Sequence, residues 1–219
     1  MVTIPLSLDY IMRSAKPENK NAPVLFMLHG YGSNEEDLFS YASELPEELC
    51  IISIKAPYNL EPNGHAWYAI NFDAEQGKWS DDQQAIASRE KIVQFMDEAC
   101  ILYSLDTENV TLLGFSQGTI LSYAVALSYP DKVTNVIALS GYINEKILLK
   151  SYKNKDHSKL NFYCSHGQAD PVIPIEWAQK APELLENIGV SYEYEEFPVG
   201  HGVITENFCS FKQWLSNKI

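Results

Sequence analysis

The nine residues at positions 110–118 read VTLLGFSQG, an apolar run that ends in a Gly-x-Ser-x-Gly motif. The run is typical of a buried β-strand, and a helical pattern follows from Thr119 onward. In this context of strand, sharp turn and helix, the motif exposes a serine hydroxyl at a strand end. Gly114 and Gly118 leave room for the turn because they carry no side chain. The context therefore favours Ser116 as a nucleophile over a chance Gly-Ser-Gly turn.

A nucleophilic serine needs a base, and that base needs an orienting acid. Residues 160–165 predict a strand that leads to Asp170, and residues 190–197 predict another that leads to His201, which two glycines flank. The order Ser116, Asp170, His201 matches the order of nucleophile, acid and base in α/β-hydrolases. The sequence therefore predicts these three residues as a catalytic triad.

Other histidines and acids are weaker candidates. His166 is the main rival because it also ends a strand, but it precedes Asp170 in the same turn, so we expect a structural or supporting role. His29 and His65 precede Ser116 and break the chain order. The remaining rivals lie in polar or helical segments that predict solvated side chains: His157, Glu145, Asp156 and Glu176.

Acyl transfer builds negative charge on an oxygen atom, and backbone N–H groups stabilise that charge. The residue after the nucleophile, Gln117, supplies one predicted donor. The other is Tyr31, because the buried-type strand at 24–28 runs into His29-Gly30-Tyr31-Gly32. A dinucleotide-binding turn is excluded there, since Glu35 stands where the third glycine would be. We expect His29 to brace this loop.

These motifs together resemble the phospholipase/carboxylesterase family of α/β-hydrolases, which includes acyl-protein thioesterases and small bacterial carboxylesterases. The matching segments are LHGYG at 28–32, GFSQG at 114–118, HGQADPVIP at 166–174 and GH at 200–201. The resemblance implies Ser116 as nucleophile, Asp170 as acid and His201 as base, with Tyr31 and Gln117 N–H groups as the oxyanion hole. Tyr31 and Thr119 depart from the thioesterase pattern, which usually has Leu and Gly there.

The expected architecture is an α/β-hydrolase fold, a mostly parallel central sheet with helices on both faces and no large cap domain. One domain is expected over residues 1–219. Besides the segments above, strands are predicted at 1–10, 49–54 and 133–140. Helices are predicted from near Asn34, from 81 or 82 to 103, at 175–187 and after His201. Pro182 should kink the helix at 175–187 or shift its start. Residues 55–80 are expected to be irregular.

The composition of the chain argues against several classes of binding partner. The net charge of −13 argues against nucleic acids and anionic membrane surfaces. The first ten residues do not resemble a signal peptide, and no apolar run has the length of a membrane span. The four cysteines show no metal spacing and predict reduced core residues, so we expect a cytoplasmic protein with neither metal nor cofactor. A homodimer is left open.

Aromatic residues between positions 55 and 80 are candidates for contacts with substrate. For Trp67 and Tyr68, lining a substrate pocket and pinning the segment to the body are equally good interpretations, whereas Phe72 and Trp79 should pin it. Further residues follow strand ends and are also predicted to face the substrate: Tyr142, Val172, Ile173 and Val203.

The sequence thus predicts a serine carboxylesterase that hydrolyses short- to medium-chain esters through an acyl-enzyme. The alternative activities are those of an acyl-protein thioesterase or a lysophospholipase. A non-catalytic binding protein on the same fold is the alternative of another class, and the complete triad argues against it.

Overall fold

The computed structural model describes residues 6–16, 21–73 and 77–219. A seven-stranded sheet in the order β1-β3-β2-β8-β9-β10-β11 forms its centre. All its neighbouring strands pair in parallel except β1, which is antiparallel to β3. The strands are β1 Tyr10–Arg13, β2 Val24–Leu28, β3 Cys50–Ile54, β4 Tyr58–Leu60, β5 Gly64–Ala66, β6 Ile70–Asp73, β7 Gly77–Ser80, β8 Val110–Phe115, β9 Asn135–Leu139, β10 Asn161–Gly167 and β11 Ser191–Phe197.

Helices cover both faces of the sheet, as expected. They are α1 Glu36–Phe39, α2 Asp82–Tyr103, α3 Gln117–Ser128, α4 Ile175–Ala178, α5 Ala181–Asn187 and α6 Thr205–Ser216. Side chains of β2 alternate between two cores: Phe26 packs with residues of α2 and α3, whereas Met27 packs with residues of α1 and α6. Every residue of β2 is buried, which explains its continuous apolar sequence.

The predicted N-terminal strand at 1–10 is displaced in the structure. Residues 1–5 lie outside the described ranges, residues 6–9 are not in a strand, and β1 begins at Tyr10. The pairing explains the shift, because Tyr10 lies opposite Ile54, the last residue of β3. The preceding residues have no further length of β3 to pair with.

The prediction of an irregular segment at 55–80 was wrong. Two antiparallel hairpins occupy it, β4 with β5 and β6 with β7. Their strands are only three or four residues long, too short for alternation to stand out in the sequence. Both hairpins lie in the connection between β3 and α2. Phe72 and Trp79 lie among the residues whose side chains are not described.

Helix boundaries follow local signals. Asp81 caps α2, because its carboxylate accepts hydrogen bonds from the N–H groups of Gln83 and Gln84. Pro182 lies in the first turn of α5, and the single helix predicted at 175–187 is interrupted before it, so that α4 and α5 are separate. Cys209 was expected in the core, but it lies on the exposed side of α6. Among the helices described, none has the length and apolar character needed to span a bilayer.

Candidate active site

The segment Gly114–Gly118, called the elbow, places Ser116 between β8 and α3. Ser116 has φ 54° and ψ −115°, a conformation that L-residues rarely adopt. A Cβ on Gly118 would lie 1.9 Å from the carbonyl oxygen of Leu28, and one on Gly114 would lie 2.6 Å from Gly118. Both positions therefore require glycine, and the close packing holds the serine at the end of β8.

The structure brings Ser116, Asp170 and His201 together from three separate strand ends. His201 Nε2 lies 2.9 Å from Ser116 Oγ, and His201 Nδ1 lies 2.6 Å from Asp170 Oδ2. Because the ionised carboxylate only accepts hydrogen bonds, Nδ1 carries the ring proton and Nε2 accepts from the Ser116 hydroxyl. This arrangement lets the imidazole remove the hydroxyl proton when the serine attacks.

The side chain of Asp170 is buried, and hydrogen bonds hold it ionised. Burial raises its pKa, but the hydrogen bonds from His201 and from the N–H groups of Ile173 and Val172 outweigh burial, so the pKa lies below its usual value. His166 Nε2 lies 3.4 Å from the same carboxylate and 2.9 Å from the Ile173 carbonyl oxygen. His166 thus lies beside the acid, which agrees with the supporting role expected for it.

The loops that carry Asp170 and His201 are fastened to each other. The N–H of Gln168 donates to the Phe197 carbonyl at 2.8 Å, and the N–H of Ala169 donates to the Val199 carbonyl at 3.0 Å. A Cβ on Gly167 would lie 2.1 Å from the Gly200 carbonyl oxygen. The acid and the histidine therefore keep a fixed spacing.

The loop His29–Gly32 after β2, called the β2 loop, lies against the elbow. A Cβ on Gly30 would lie 3.5 Å from Ser116 Cβ. Within the described residues, the N–H groups of Tyr31 and Gln117 donate to no acceptor. Gly32 has φ 79°, and its N–H donates to the His65 carbonyl at 2.9 Å, which anchors the loop to β5.

His29 braces the β2 loop as the sequence led us to expect. Its ring is fully buried; Nε2 accepts from the N–H of Ala56 at 3.1 Å, and Nδ1 donates to the Gly30 carbonyl at 2.8 Å. Burial lowers its pKa, so the ring is neutral near pH 7. A neutral ring with both nitrogens bonded fits a structural role.

The structure places some predicted substrate residues inside the protein. Trp67 is fully buried, and its indole N–H donates to the His29 carbonyl at 2.9 Å. Tyr68 and Ile173 are 2% and 6% exposed. Of the two interpretations weighed for Trp67, its placement agrees with pinning the segment to the body.

Other apolar side chains follow β2, β9 and β10 at the carboxyl edge of the sheet, where Ser116 follows β8, and they are called the rim. Val172 is 47% exposed beside Asp170, and Tyr31 is 42% exposed on the β2 loop. Tyr142 is partly buried and meets Trp177 edge to face, with ring centroids 5.0 Å apart. Trp177 is 46% exposed and was missed from the sequence, although its position just after the acid motif was a usable signal. Val203 is partly buried and packs on the core that α6 shares.

A cavity of about 740 Å³ is lined by none of the triad residues. It is bounded by residues 6–9, the start of α1, the β4–β5 hairpin and Lys91 of α2. This cavity is therefore separate from the candidate triad.

The sequence profile of the Phospholipase/Carboxylesterase family matches residues 11–219. The chain belongs to this family. The α/β-hydrolase fold expected from the sequence is also confirmed. A crystal structure of a Bacillus cereus carboxylesterase matches with a TM-score of 0.82 at 21% identity, covering 97% of this chain and 95% of that one.

The relatives that this chain matches in sequence include two yeast proteins. The chain is 31% identical over 134 residues to acyl-protein thioesterase 1 of Saccharomyces cerevisiae, covering 59% of this chain. It is 25% identical over 230 residues to acyl-protein thioesterase 1 of Kluyveromyces lactis, covering 99% of both chains. In its matches to the Saccharomyces protein and to relatives from rice and Arabidopsis thaliana, it spans only 57%, 58% and 53% of their lengths.

Proposed function

We propose that this protein is a serine carboxylesterase that hydrolyses short- to medium-chain carboxylic esters through an acyl-enzyme. The observation that carries the proposal is the continuous path of hydrogen bonds from Asp170 through His201 to Ser116. Family membership supports the same reaction class. The two N–H groups without acceptors, at Tyr31 and Gln117, lie in the loops that flank the serine.

The reaction proceeds in two halves. Ser116 Oγ attacks the ester carbon while His201 Nε2 takes its proton, and Asp170 stabilises the imidazolium. The oxyanion binds the two N–H groups, each worth about 3 kcal/mol in the transition state. His201 then protonates the leaving alcohol. In the second half, His201 removes a proton from water, which attacks the acyl carbon. The bond to Ser116 Oγ then breaks, His201 returns the proton to that oxygen, and the acid is released.

The open rim supports small acyl groups or a chain presented by a larger molecule. Ser116 lines none of the cavities of about 740, 450 and 360 Å³ in the described chain, whereas Tyr31, Val172 and Trp177 are exposed. The second candidate, acyl-protein thioesterase activity, is favoured by this solvent-exposed rim and by the names of the yeast relatives. A homodimer that buries the rim stays a prediction.

The test is the hydrolysis of p-nitrophenyl esters with two to sixteen carbons by the wild type and by Ser116→Ala. We expect a maximum at short or medium chains and a loss of kcat of about 10⁴-fold or more in the variant. Ser140→Ala is the matched control, because Ser140 is also buried at a strand end with φ 51°.

Retained turnover in Ser116→Ala would contradict the triad. A preference for a palmitoylated peptide over every p-nitrophenyl ester would favour the thioesterase. No turnover of either substrate would favour a binding protein.

A further inference from the structure

The side chain of Gln117 has a task that its backbone N–H does not perform. It is 3% exposed, and both ends of its amide are bonded to the segment that joins β5 and β6. Oε1 accepts from the N–H of Trp67, and Nε2 donates to the carbonyl of Tyr68, both at 2.8 Å. An N–H only donates and a carbonyl only accepts, so these contacts fix the orientation of the amide.

Trp67 extends the connection to the β2 loop. Its indole N–H donates to the carbonyl of His29 at 2.9 Å, and its ring lies 5.5 Å from the imidazole. Its own carbonyl accepts from the hydroxyl of Ser88 on α2. Residues 67 and 68 are therefore anchored to the elbow, to the β2 loop and to α2.

A chain of contacts thus joins the two N–H groups beside the serine. It runs from Gln117 through Trp67 to His29, which is two residues before Tyr31. The paired ladder of β2 and β8 ends at Leu28 opposite Gly114, so it does not extend to the donors themselves. The path through the side chain of Gln117 links the two loops beyond the last ladder pair.

We propose that the side-chain amide of Gln117 is a positioning group that sets the spacing of the Tyr31 and Gln117 N–H donors. This inference rests on the proposed function, because the spacing matters only if both donors bind an oxyanion. Donors must lie about 3 Å from the oxyanion, and a misplacement of about 1 Å costs about 100-fold in rate. Loss of the amide should therefore weaken binding of the transition state more than binding of the substrate.

The variant to make is Gln117→Met, which keeps the length and the backbone N–H but has no side-chain donor and only a weakly accepting sulfur. The matched control is Gln84→Met. Gln84 Oε1 accepts from the N–H of Ala69 at 2.9 Å, so it holds the same segment two residues further along, but from α2. Both variants lose a glutamine clamp on this segment, and only the first loses the link to the elbow.

We expect kcat of Gln117→Met to fall about 10- to 100-fold, while KM stays within about threefold. The inhibition constant of an alkyl boronic acid, which mimics the tetrahedral intermediate, should rise by the same factor. Gln84→Met should keep kcat within about threefold at a similar loss of melting temperature. Equal kcat values in the two variants would overturn the inference and leave Gln117 a purely structural residue.

Amide hydrogen exchange gives a measurement that does not depend on turnover. Gln117→Met should speed exchange at the amide of Trp67 and across residues 29–32, and Gln84→Met should leave residues 29–32 as in the wild type. If the protein hydrolyses no ester, the proposed function fails and this measurement still decides whether the loops are linked. Unchanged exchange at residues 29–32 in Gln117→Met would refute the link.

Discussion

The elbow and the β2 loop each present one N–H beside Ser116, yet they are held in different ways. The elbow is fixed by close packing, since a Cβ on Gly118 would lie 1.9 Å from the carbonyl oxygen of Leu28. The β2 loop is fixed largely by hydrogen bonds, from Gly32 to the His65 carbonyl and from Ala56 to the ring of His29. The position of the Gln117 N–H therefore depends on steric fit. The position of the Tyr31 N–H depends on hydrogen bonds that solvent conditions and substitutions at distant residues can change.

The largest effect should come from Gly118→Ala. The obstructing atom belongs to the backbone of Leu28, so no change of rotamer relieves the contact. We expect a loss of more than about 3 kcal/mol in the free energy of unfolding, measured by urea denaturation.

Gly202→Ala is the control for that substitution. A Cβ there meets no atom within 4 Å, so its unfolding free energy should change by less than about 0.5 kcal/mol. Equal stability of the two alanine variants would show that packing does not hold the elbow.

A smaller effect is expected from Gly32→Ala in the β2 loop. No atom lies within 4 Å of the added Cβ, but φ is 79°. The cost of the alanine therefore comes from its left-handed backbone conformation alone. The expected loss of unfolding free energy is about 1–2 kcal/mol. Measured beside Gly118→Ala, this variant sharpens the comparison. The comparison fails if Gly32→Ala is the more damaging of the two.

The smallest effect should appear in the dependence of stability on pH. Burial lowers the pKa of His29 in the folded protein, while the unfolded chain has a pKa of about 6.5. Below that pH the unfolded state binds the proton first, so the contribution of His29 to stability falls as the pH drops from about 7 towards 5. The elbow contributes nothing here, because Gly114–Gly118 carry no ionisable side chain.

The variant His29→Asn should be less stable at pH 7 and should lose less stability between about pH 7 and 5 than the wild type. Urea unfolding at both pH values measures the difference. Asp170 does not affect this comparison. Its pKa is lowered in the folded protein, so its contribution to stability is kept until the pH falls below about 4. An identical decline of the unfolding free energy in both proteins would show that protonation of His29 does not affect stability.

Much of the fold was predictable because its signals are local. Five apolar residues of β2 are buried on both faces, so the strand reads as one continuous run. Ser116, Asp170 and His201 follow β8, β10 and β11, and their common location was predictable because parallel strands end at one edge of the sheet. Their catalytic roles stay predictions, although the structure brings the three within hydrogen-bond distance.

Contacts between distant segments could not be predicted in the same way. The sequence left Trp67 equally suited to lining a pocket and to anchoring a loop, because an aromatic side chain fits both. Its burial depends on His29, which is 38 residues away along the chain. The side chain of Gln117 gave no signal of its contacts with residues 67 and 68, since its motif position concerns only the backbone N–H.

The sequence by itself therefore determined the elbow, the order of the candidate triad and the parallel strands. These depend on steric limits of neighbouring residues and on apolar patterns that one chain segment carries alone. The tertiary structure decided the hairpins between β3 and α2, the open rim around Trp177 and the link from Gln117 to the β2 loop. These depend on contacts between hydrogen-bonding and apolar groups that are distant in the sequence. Such contacts form only when the chain folds, so no single segment predicts them.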